Sequence, residues 1–155
     1  MEVRKYINSD SIALAKLFYE TIHTVNRFDY NQEQLNAWAP VKRDMHDWEK
    51  SFENKWVFVA QDELIVTGFG ELEPDGHIDR FYTSKDYIAQ GVGRKIFNQI
   101  ESTAITHGIS LLFVEASITA RLFFEKMGFI LIKEQVVRSR CVDFINYLME
   151  KRLDS

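Results

Sequence analysis

A short glycine segment between a strand-like run and a helix-like run limits the folds that are open to this chain. Gly91-Val92-Gly93-Arg94 follows strand-like residues 78–83 and precedes a helix-like run from Lys95 to Thr106. Gly108 is typical of a helix C-terminus, and residues 109–114 have the pattern of a buried strand. A strand, helix and strand joined by connections of this length predict a parallel pair with a right-handed crossover. The glycine segment is therefore expected at the carboxyl edge of a sheet, where ligands commonly bind.

The same glycine segment predicts an anion site. Glycine adopts positive φ and lets the backbone approach a ligand, so Gly91 and Gly93 can aim successive N–H groups at one phosphate. The helix that follows adds its positive end, and each N–H to phosphate hydrogen bond contributes about 1.5–3 kcal/mol. The alternative is a tight turn without a ligand. Because no Gly-Lys-Ser/Thr follows and no third glycine completes a dinucleotide fingerprint, another class of phosphorylated cofactor is indicated.

The rest of the pattern predicts helices first, then an antiparallel meander, then a closing hairpin. Ile12 is assigned to the apolar face of the first helix, and Ile105 to that of the helix after the glycines. The predicted strands cover residues 3–6, 56–60, 64–71, 77–83, 109–114, 129–138 and 144–149. The first helix is predicted to begin at the capping residues 8–11. Three other helices are predicted over residues 31–40, 44–53 and 119–127.

Composition limits the classes of protein and partner. The length predicts one domain over 1–155, and 46% hydrophobic residues are ample for its core. A net charge of −4 argues against nucleic-acid partners, and neither a signal peptide nor a membrane-spanning segment is indicated, so a cytoplasmic protein is expected. Cys141 stands alone and lacks metal-ligand spacing with any histidine, so no structural metal is predicted.

This order of elements, ending in a helix that runs into Phe124-Glu125-Lys126-Met127-Gly128-Phe129, resembles the GNAT superfamily of acyl-coenzyme A dependent N-acetyltransferases over nearly the whole chain. The family motif is Gln or Arg, two residues, Gly, one residue, and Gly or Ala. It falls on 88–93, with Ile88 in place of Gln or Arg, while Tyr87 and Arg94 fit common family usage. Residues 114–129 also resemble an uncharacterised bacterial subgroup. The resemblance implies an α/β fold of the α+β kind, with a mixed, largely antiparallel sheet of about seven strands, a splayed parallel pair and flanking helices.

The resemblance also implies acetyl-coenzyme A (acetyl-CoA) as the acyl donor. Ser117 stands where many members have an asparagine that contacts the cofactor, and its hydroxyl is expected to serve more weakly. Phe124 stands where many have a tyrosine that protonates the departing thiolate, which phenylalanine cannot do. The expected backbone partners are Phe81, Tyr82 and Thr83 for the pantetheine arm, and Ala89, Gln90, Gly91, Val92, Gly93 and Arg94 for the pyrophosphate.

Acetyl transfer to an amine requires a base, because an ammonium has no lone pair. Deprotonating an alkylamine of pKa about 10.4 at pH 7 costs about 4.6 kcal/mol. The two-residue period of a strand predicts that His77 and Asp79 share a face with Phe81 and Thr83, beside the thioester path. His77 and Asp79 are therefore the candidate bases. The alternative for His77 is a solvated residue after a turn.

Several other residues are candidates for the acid, the base or the acceptor pocket. For Asp79 the alternative is a salt bridge with Arg80 or Arg140. Glu71 and Glu73 rank behind it, because acids at strand ends are usually solvated. Cys141 and Tyr147 are candidate proton donors. The alternatives are a turn or buried filler residue for Cys141 and a core aromatic for Tyr147. The thiolate of coenzyme A (CoA) needs no dedicated acid. The residues expected to cap the acceptor side, or else to form core, are Tyr30, Trp38, Trp48 and Trp56.

The predicted function is transfer of acetyl from acetyl-CoA to a primary amine by direct attack in a ternary complex. The acceptor is a small-molecule or peptide amine, and no metal is required. One alternative is an acyl-CoA-binding protein with little catalysis, because Ile88 and Phe124 depart from the family pattern. Another is a non-enzymatic self-association module, and a homodimer is one assembly open to the chain.

Overall fold

The computed structural model describes residues 1–153, which form a seven-stranded sheet flanked by helices. Within that range, no helix is long and apolar enough to cross a membrane. The elements in chain order are β1 (Glu2–Lys5), α1 (Ser11–Thr24), α2 (Gln32–Trp38), α3 (Met45–Lys50), β2 (Trp56–Asp62), β3 (Ile65–Leu72), β4 (His77–Thr83), α4 (Val92–Thr106), β5 (Leu111–Ser117), α5 (Arg121–Lys126), β6 (Ile130–Ser139) and β7 (Val142–Arg152).

The sheet is mixed, with one parallel pair at its centre. Its strand order is β1-β2-β3-β4-β5-β7-β6, and every neighbouring pair except β4 and β5 is antiparallel. The predicted fold class is confirmed. The pairing of β4 with β5 consists of His77 opposite Phe113 and Ile78 opposite Val114. Because the register ends there, the two strands diverge toward their carboxyl ends and leave a gap in the sheet.

A hydrophobic core lies on each face of the sheet. On one face, Ile96 and Ile100 of α4 are fully buried, and each contributes about 1.5–3 kcal/mol relative to an exposed side chain. Gly70 of β3 permits this contact, since a Cβ atom there would lie 2.7 Å from Cγ2 of Ile96. On the other face, Leu14 and Ile22 of α1 pack with residues of α2, α3 and β3. Helix α4 and the group α1 to α3 thus define two distinct sides of the gap.

Several predicted boundaries change in the structure. Helix α4 begins at Val92 rather than Lys95, because Gly91 adopts a left-handed φ of 82° and serves as its N-cap. Strand β5 runs over Leu111–Ser117 rather than 109–114, and its residues alternate between buried and partly exposed. The prediction of a uniformly buried strand was therefore wrong. Ile12 and Ile105 are exposed, so the apolar faces of their helices are narrower than predicted.

Candidate functional site

A cleft of about 850 Å³ opens where β4 and β5 diverge. The N-terminus of α4, helix α5, helix α1 and the β6–β7 hairpin complete its walls. Gln90 is absent from the lining, and its side-chain amide donates to the carbonyl of Asp86 at 3.3 Å. The other predicted cofactor residues all line the cleft: Phe81, Tyr82, Thr83, Ala89, Gly91, Val92, Gly93, Arg94, Ser117 and Phe124.

The first turn of α4 presents unpaired backbone donors to this cleft. The helix ladder begins with the amide of Lys95, which donates to the carbonyl of Gly91 at 3.2 Å. The amides of Val92, Gly93 and Arg94 precede it and have no intrahelical partner. Gly93 also permits a close approach, because a Cβ atom there would lie 2.8 Å from Cε1 of Phe123. This helix end has the geometry of an anion site.

Strand β4 contains a bulge at the closed end of the cleft. Gly70 lies opposite Phe81, but Leu72 lies opposite Ile78, so two residues of β4 face one residue of β3. The bulge places both Ile78 and Phe81 on the α4 side of the sheet. The predicted strict alternation along β4 was therefore wrong, because register with β3 overrides the local period.

A buried ion network occupies this bulge. Glu71, the β3 residue at the bulge, is fully buried. Lys55 Nζ lies 2.7 Å from Glu71 Oε1 and 2.7 Å from Asp79 Oδ2, while Arg80 donates to both Glu71 oxygens. Burial raises the pKa of Glu71, and the charges and hydrogen bonds of Arg80 and Lys55 offset only part of that effect. Glu71 is thus not the solvated acid that was predicted.

Asp79 forms a salt bridge, but with Lys55 rather than with Arg80 or Arg140. Arg140 instead donates to a backbone carbonyl of α2. Burial alone would raise the pKa of Asp79, but the hydrogen bond and charge of Lys55, with the charges of Arg80 and His77, lower it below its ordinary value. Its side chain is 42% exposed and lines the cleft. An ionised carboxylate here suits binding a cation better than accepting a proton.

His77 is held between two carboxylates instead of being solvated. Its Nδ1 lies 2.5 Å from Glu73 Oε1 and its Nε2 lies 3.1 Å from Glu115 Oε1. The ring stacks on Phe113 with 5.0 Å between ring centroids. Glu115 lines the cleft beside His77. Sequence analysis missed Glu115, and the available signal was a charged residue placed within an apolar strand.

Two of the four aromatic residues that were predicted to cap the acceptor side, or else to form core, line the cleft. Tyr30 and Trp38 line the cleft. Trp48 is buried behind it, and Trp56 packs on the α4 face of the sheet, so neither lines the cleft. The Tyr30 hydroxyl accepts from the amide of Ile118 at 2.9 Å and donates to a β7 carbonyl at 2.8 Å. Burial raises the pKa of Tyr30.

The predicted proton donors lie outside the cleft. Cys141 is exposed in the turn between β6 and β7, and Tyr147 packs beneath the guanidinium of Arg121 at 4.6 Å from the ring centroid. Phe124 lines the cleft but is buried and has no proton to give. Asn146, which sequence analysis did not identify, also lines the cleft, and its Oδ1 is buried without a hydrogen-bond partner among the described residues.

Known proteins similar to this chain are acetyltransferases. A family model described as an acetyltransferase (GNAT) domain matches residues 26–151. The protein described as uncharacterized N-acetyltransferase YafP of Escherichia coli (strain K12) is 29% identical over 150 residues, which span 96% of this chain and 94% of that protein.

Solved structures show the same fold. The crystal structure described as a GCN5-related N-acetyltransferase, aminotransferase class-II, from Rhodopseudomonas palustris has a TM-score of 0.94 and 28% identity, covering 98% of this chain and 95% of that one. The PaiA N-acetyltransferase of Thermoplasma acidophilum, crystallised in complex with coenzyme A, has a TM-score of 0.79 and 19% identity, covering 97% and 98%. At that identity, the second likeness shows the fold alone.

Proposed function

This chain belongs to the GNAT family of N-acetyltransferases, and from that premise we propose that it transfers acetyl from acetyl-CoA to a primary amine by direct attack in a ternary complex. The observation that carries the proposal is the cleft between β4 and β5, which joins an anion-binding helix end to a pair of ionisable side chains. The test is release of free CoA thiol from acetyl-CoA in the presence of primary amines. Absence of release over a broad amine panel would contradict it.

The anion site of α4 fits the pyrophosphate of CoA. The amides of Val92 and Gly93, with the positive end of a 15-residue helix, face the cleft. Arg94 is exposed there and adds a full positive charge. CoA bound to the PaiA enzyme supports the same donor for this family member. Ser117 supports it too, because its Oγ accepts from the amide of Ala120 and retains a proton to donate.

The gap beside β4 fits the pantetheine arm. The amide of Ser84 donates to the carbonyl of Thr67. Because hydrogen-bonded and non-hydrogen-bonded pairs alternate along antiparallel strands, the backbone N–H and C=O groups of Tyr82 also point toward β3. Phe81 and Thr83 direct their backbone groups into the gap, although the Thr83 carbonyl also accepts from a hydroxyl of α1. An extended amide-containing ligand can pair with such a free edge.

The acceptor amine is assigned to the side of the cleft that carries His77 and Asp79. We assign Asp79 to hold the substrate cation, because Lys55 keeps it ionised, and His77 to receive a proton. The aromatic wall, which includes Tyr30 and Trp38, supports an acceptor with an aliphatic or aromatic body. Membership of an enzyme family also favours catalysis over the two non-catalytic alternatives.

Reversing the charge of Arg94 is expected to weaken CoA binding by about tenfold or more, because a charge-assisted hydrogen bond contributes about 1.5–3 kcal/mol. The measurement is the dissociation constant of CoA by calorimetry for Arg94→Glu. Lys95→Glu is a matched control, since Lys95 is the next exposed cation on α4 but does not line the cleft. Equal weakening in both variants would indicate a diffuse charge effect and remove Arg94 from the site.

Replacing Asp79 with asparagine is expected to lower kcat/KM for the amine by about tenfold, equivalent to about 1.4 kcal/mol, because the cation loses its ionised partner. CoA affinity is expected to change little. The control is Asp86→Asn, which removes an exposed carboxylate near the glycine segment outside the cleft lining. Turnover of Asp79→Asn that matches the unaltered protein at every pH would defeat the role given to Asp79.

A further inference from the structure

A continuous chain of three side chains runs from the cleft to Glu73, the residue that follows the carboxyl end of β3. Glu115 contacts His77 Nε2 at 3.1 Å, and His77 Nδ1 contacts Glu73 at 2.5 Å. The side chains of Glu73, His77 and Glu115 are 35%, 18% and 44% exposed, so the imidazole is the shielded member and Glu115 the most open. Neither glutamate has a role in the proposed function.

The sheet fixes where this chain meets the cleft. Pairing between β4 and β5 ends at Val114, so Glu115 is the first β5 residue beside the gap. Phe113 lies on the same face of β5 as Glu115, and the His77 ring stacks on it at an interplanar angle of 25°. The stacking and the two carboxylate contacts hold the imidazole in one orientation.

We propose that Glu115 is the catalytic residue that contacts the acceptor ammonium and takes its proton, that His77 receives this proton through Glu115, and that Glu73 positions His77. This rests on the proposed function. A neutral imidazole has one N–H and can donate to only one of the two carboxylates, whereas a ring with two N–H groups donates to both. The His77 ring can therefore take up one additional proton, which reaches it through Glu115, and then donate to both carboxylates.

The reaction then balances in atoms and electrons. The ammonium gives one proton to the Glu115–His77 pair, and the freed nitrogen lone pair forms the N–C bond to the acetyl carbonyl. The C–S bond breaks, and its electron pair leaves on the CoA sulfur. The second amine proton goes to that thiolate. The first returns to solvent from Glu115, whose side chain is partly exposed.

A second polar side chain lies on the same face of the sheet as Glu115. Asn146 lies opposite Ser117 in the sheet, which makes it a diagonal neighbour of Glu115, about 7–8 Å away between backbones. Its Oδ1 is buried and has no hydrogen-bond partner among residues 1–153. Other charged groups on the segments around His77 are Asp75, which accepts from the His77 backbone amide, Asp79 with Lys55, and Glu150, the β7 partner of Phe113.

The test compares the unaltered enzyme with Glu115→Gln, Glu73→Gln and Glu134→Gln, the last a control at an exposed β6 glutamate outside the cleft lining. Thiol release is measured with 2-phenylethylamine and with its 2,2-difluoro analogue, whose fluorines lower the pKa of the amine. The pH runs from about 6 to about 10, below and near the ordinary pKa of an alkylamine. Calorimetry with CoA reports whether each variant keeps a folded cofactor site.

At neutral pH, Glu115→Gln is expected to lower kcat/KM for 2-phenylethylamine by about 100-fold, and Glu73→Gln by about tenfold, with unchanged CoA binding. The deficit of Glu115→Gln should shrink as pH approaches the amine pKa and should be smaller for the difluoro analogue, because free base is then already present. Full activity in Glu115→Gln, or an equal deficit at every pH and for both amines, overturns the proposal. Absence of thiol release by the unaltered protein contradicts the proposed function itself, and the role of Glu115 falls with it.

Discussion

Replacing Lys55 with methionine is expected to lower the free energy of unfolding by about 3 kcal/mol. Glu71 is fully buried, and its carboxylate depends on two cations, Lys55 and Arg80. Methionine keeps an apolar stem of similar length but leaves the network with one negative charge in excess. Because an uncompensated buried charge is costly, the loss should far exceed that of a surface ion pair. The measurement is urea-induced unfolding followed by fluorescence.

Two further variants separate this charge effect from a packing effect. Lys16→Met breaks an exposed pair with Glu20, whose nitrogen and oxygen lie 4.0 Å apart, and should change stability by less than about 1 kcal/mol. In the Lys55→Met background, Glu71→Gln leaves Arg80 and Asp79 as one charge of each sign, and its amide oxygen can still accept from Arg80. Stability should recover in part. A double variant less stable than Lys55→Met would contradict the electrostatic explanation.

The Lys55 effect should also depend on pH in a defined direction. The pKa of Asp79 is lowered in the folded protein, chiefly because Lys55 outweighs the cost of burial. Such a group stabilises the fold above its ordinary pKa of about 3.9 and loses that contribution as pH falls through the lower folded value. Asp79 contributes to the difference in the free energy of unfolding between the unaltered protein and Lys55→Met. That contribution should therefore be constant at neutral pH and diminish below about pH 4.

The fold was predictable because its signals are local. Gly91 and Gly108 mark the two ends of α4, and the helical period between them identifies its buried face. Asn31 and Asp44, where two further helices were predicted to start, are the N-caps of α2 and α3. A strand, such a helix and a second strand in succession predict a parallel pair of strands, and β4 and β5 form that pair in the structure.

The candidate site was predicted less completely because it depends on register between distant segments. The bulge opposite Glu71 cannot be read from β4 alone, since only pairing with β3 shows that Ile78 and Phe81 share a face. The partner of Asp79 proved to be Lys55, 24 residues earlier, because β2 and β3 bring that lysine to the bulge. Glu115 was missed for a related reason: a strand beside a cleft is exposed at positions that a closed sheet would bury.

Long-range geometry also decides which side of the sheet a residue occupies. Trp48 and Trp56 are close in sequence, yet they lie on opposite faces, one in the core with α1 and the other against His107. Hydrophobic pattern predicts burial but not the face. The aromatic lining of the cleft could therefore be predicted only as a set of candidates, of which Tyr30 and Trp38 reach the cleft.

Acetyl-CoA at about a hundredfold above its dissociation constant is expected to stabilise the unaltered protein by about 2.7 kcal/mol, and Gly93→Trp is expected to lose all of that gain. For a chain of this size the gain corresponds to a rise in melting temperature of about 5–10 °C. Gly93 lies in the first turn of α4 and faces the cleft, so an indole there fills the space assigned to the pyrophosphate. Loss of the cofactor should abolish thiol release as well.

The matched control is Gly108→Trp, at the other end of the same helix. A Cβ atom at Gly108 would have no neighbour within 4 Å in the part of the chain that the structure describes, and the residue does not line the cleft, so the cost there is the strain of a positive φ. Gly93→Trp must also displace Phe123, whose ring would lie 2.8 Å from the new Cβ. The melting temperature of each variant without ligand measures the cost of backbone strain at Gly108 and of displacing Phe123 at Gly93, separately from ligand binding. If Gly93→Trp keeps the full acetyl-CoA shift, the glycine segment is only a turn, and the donor site must lie elsewhere in the cleft.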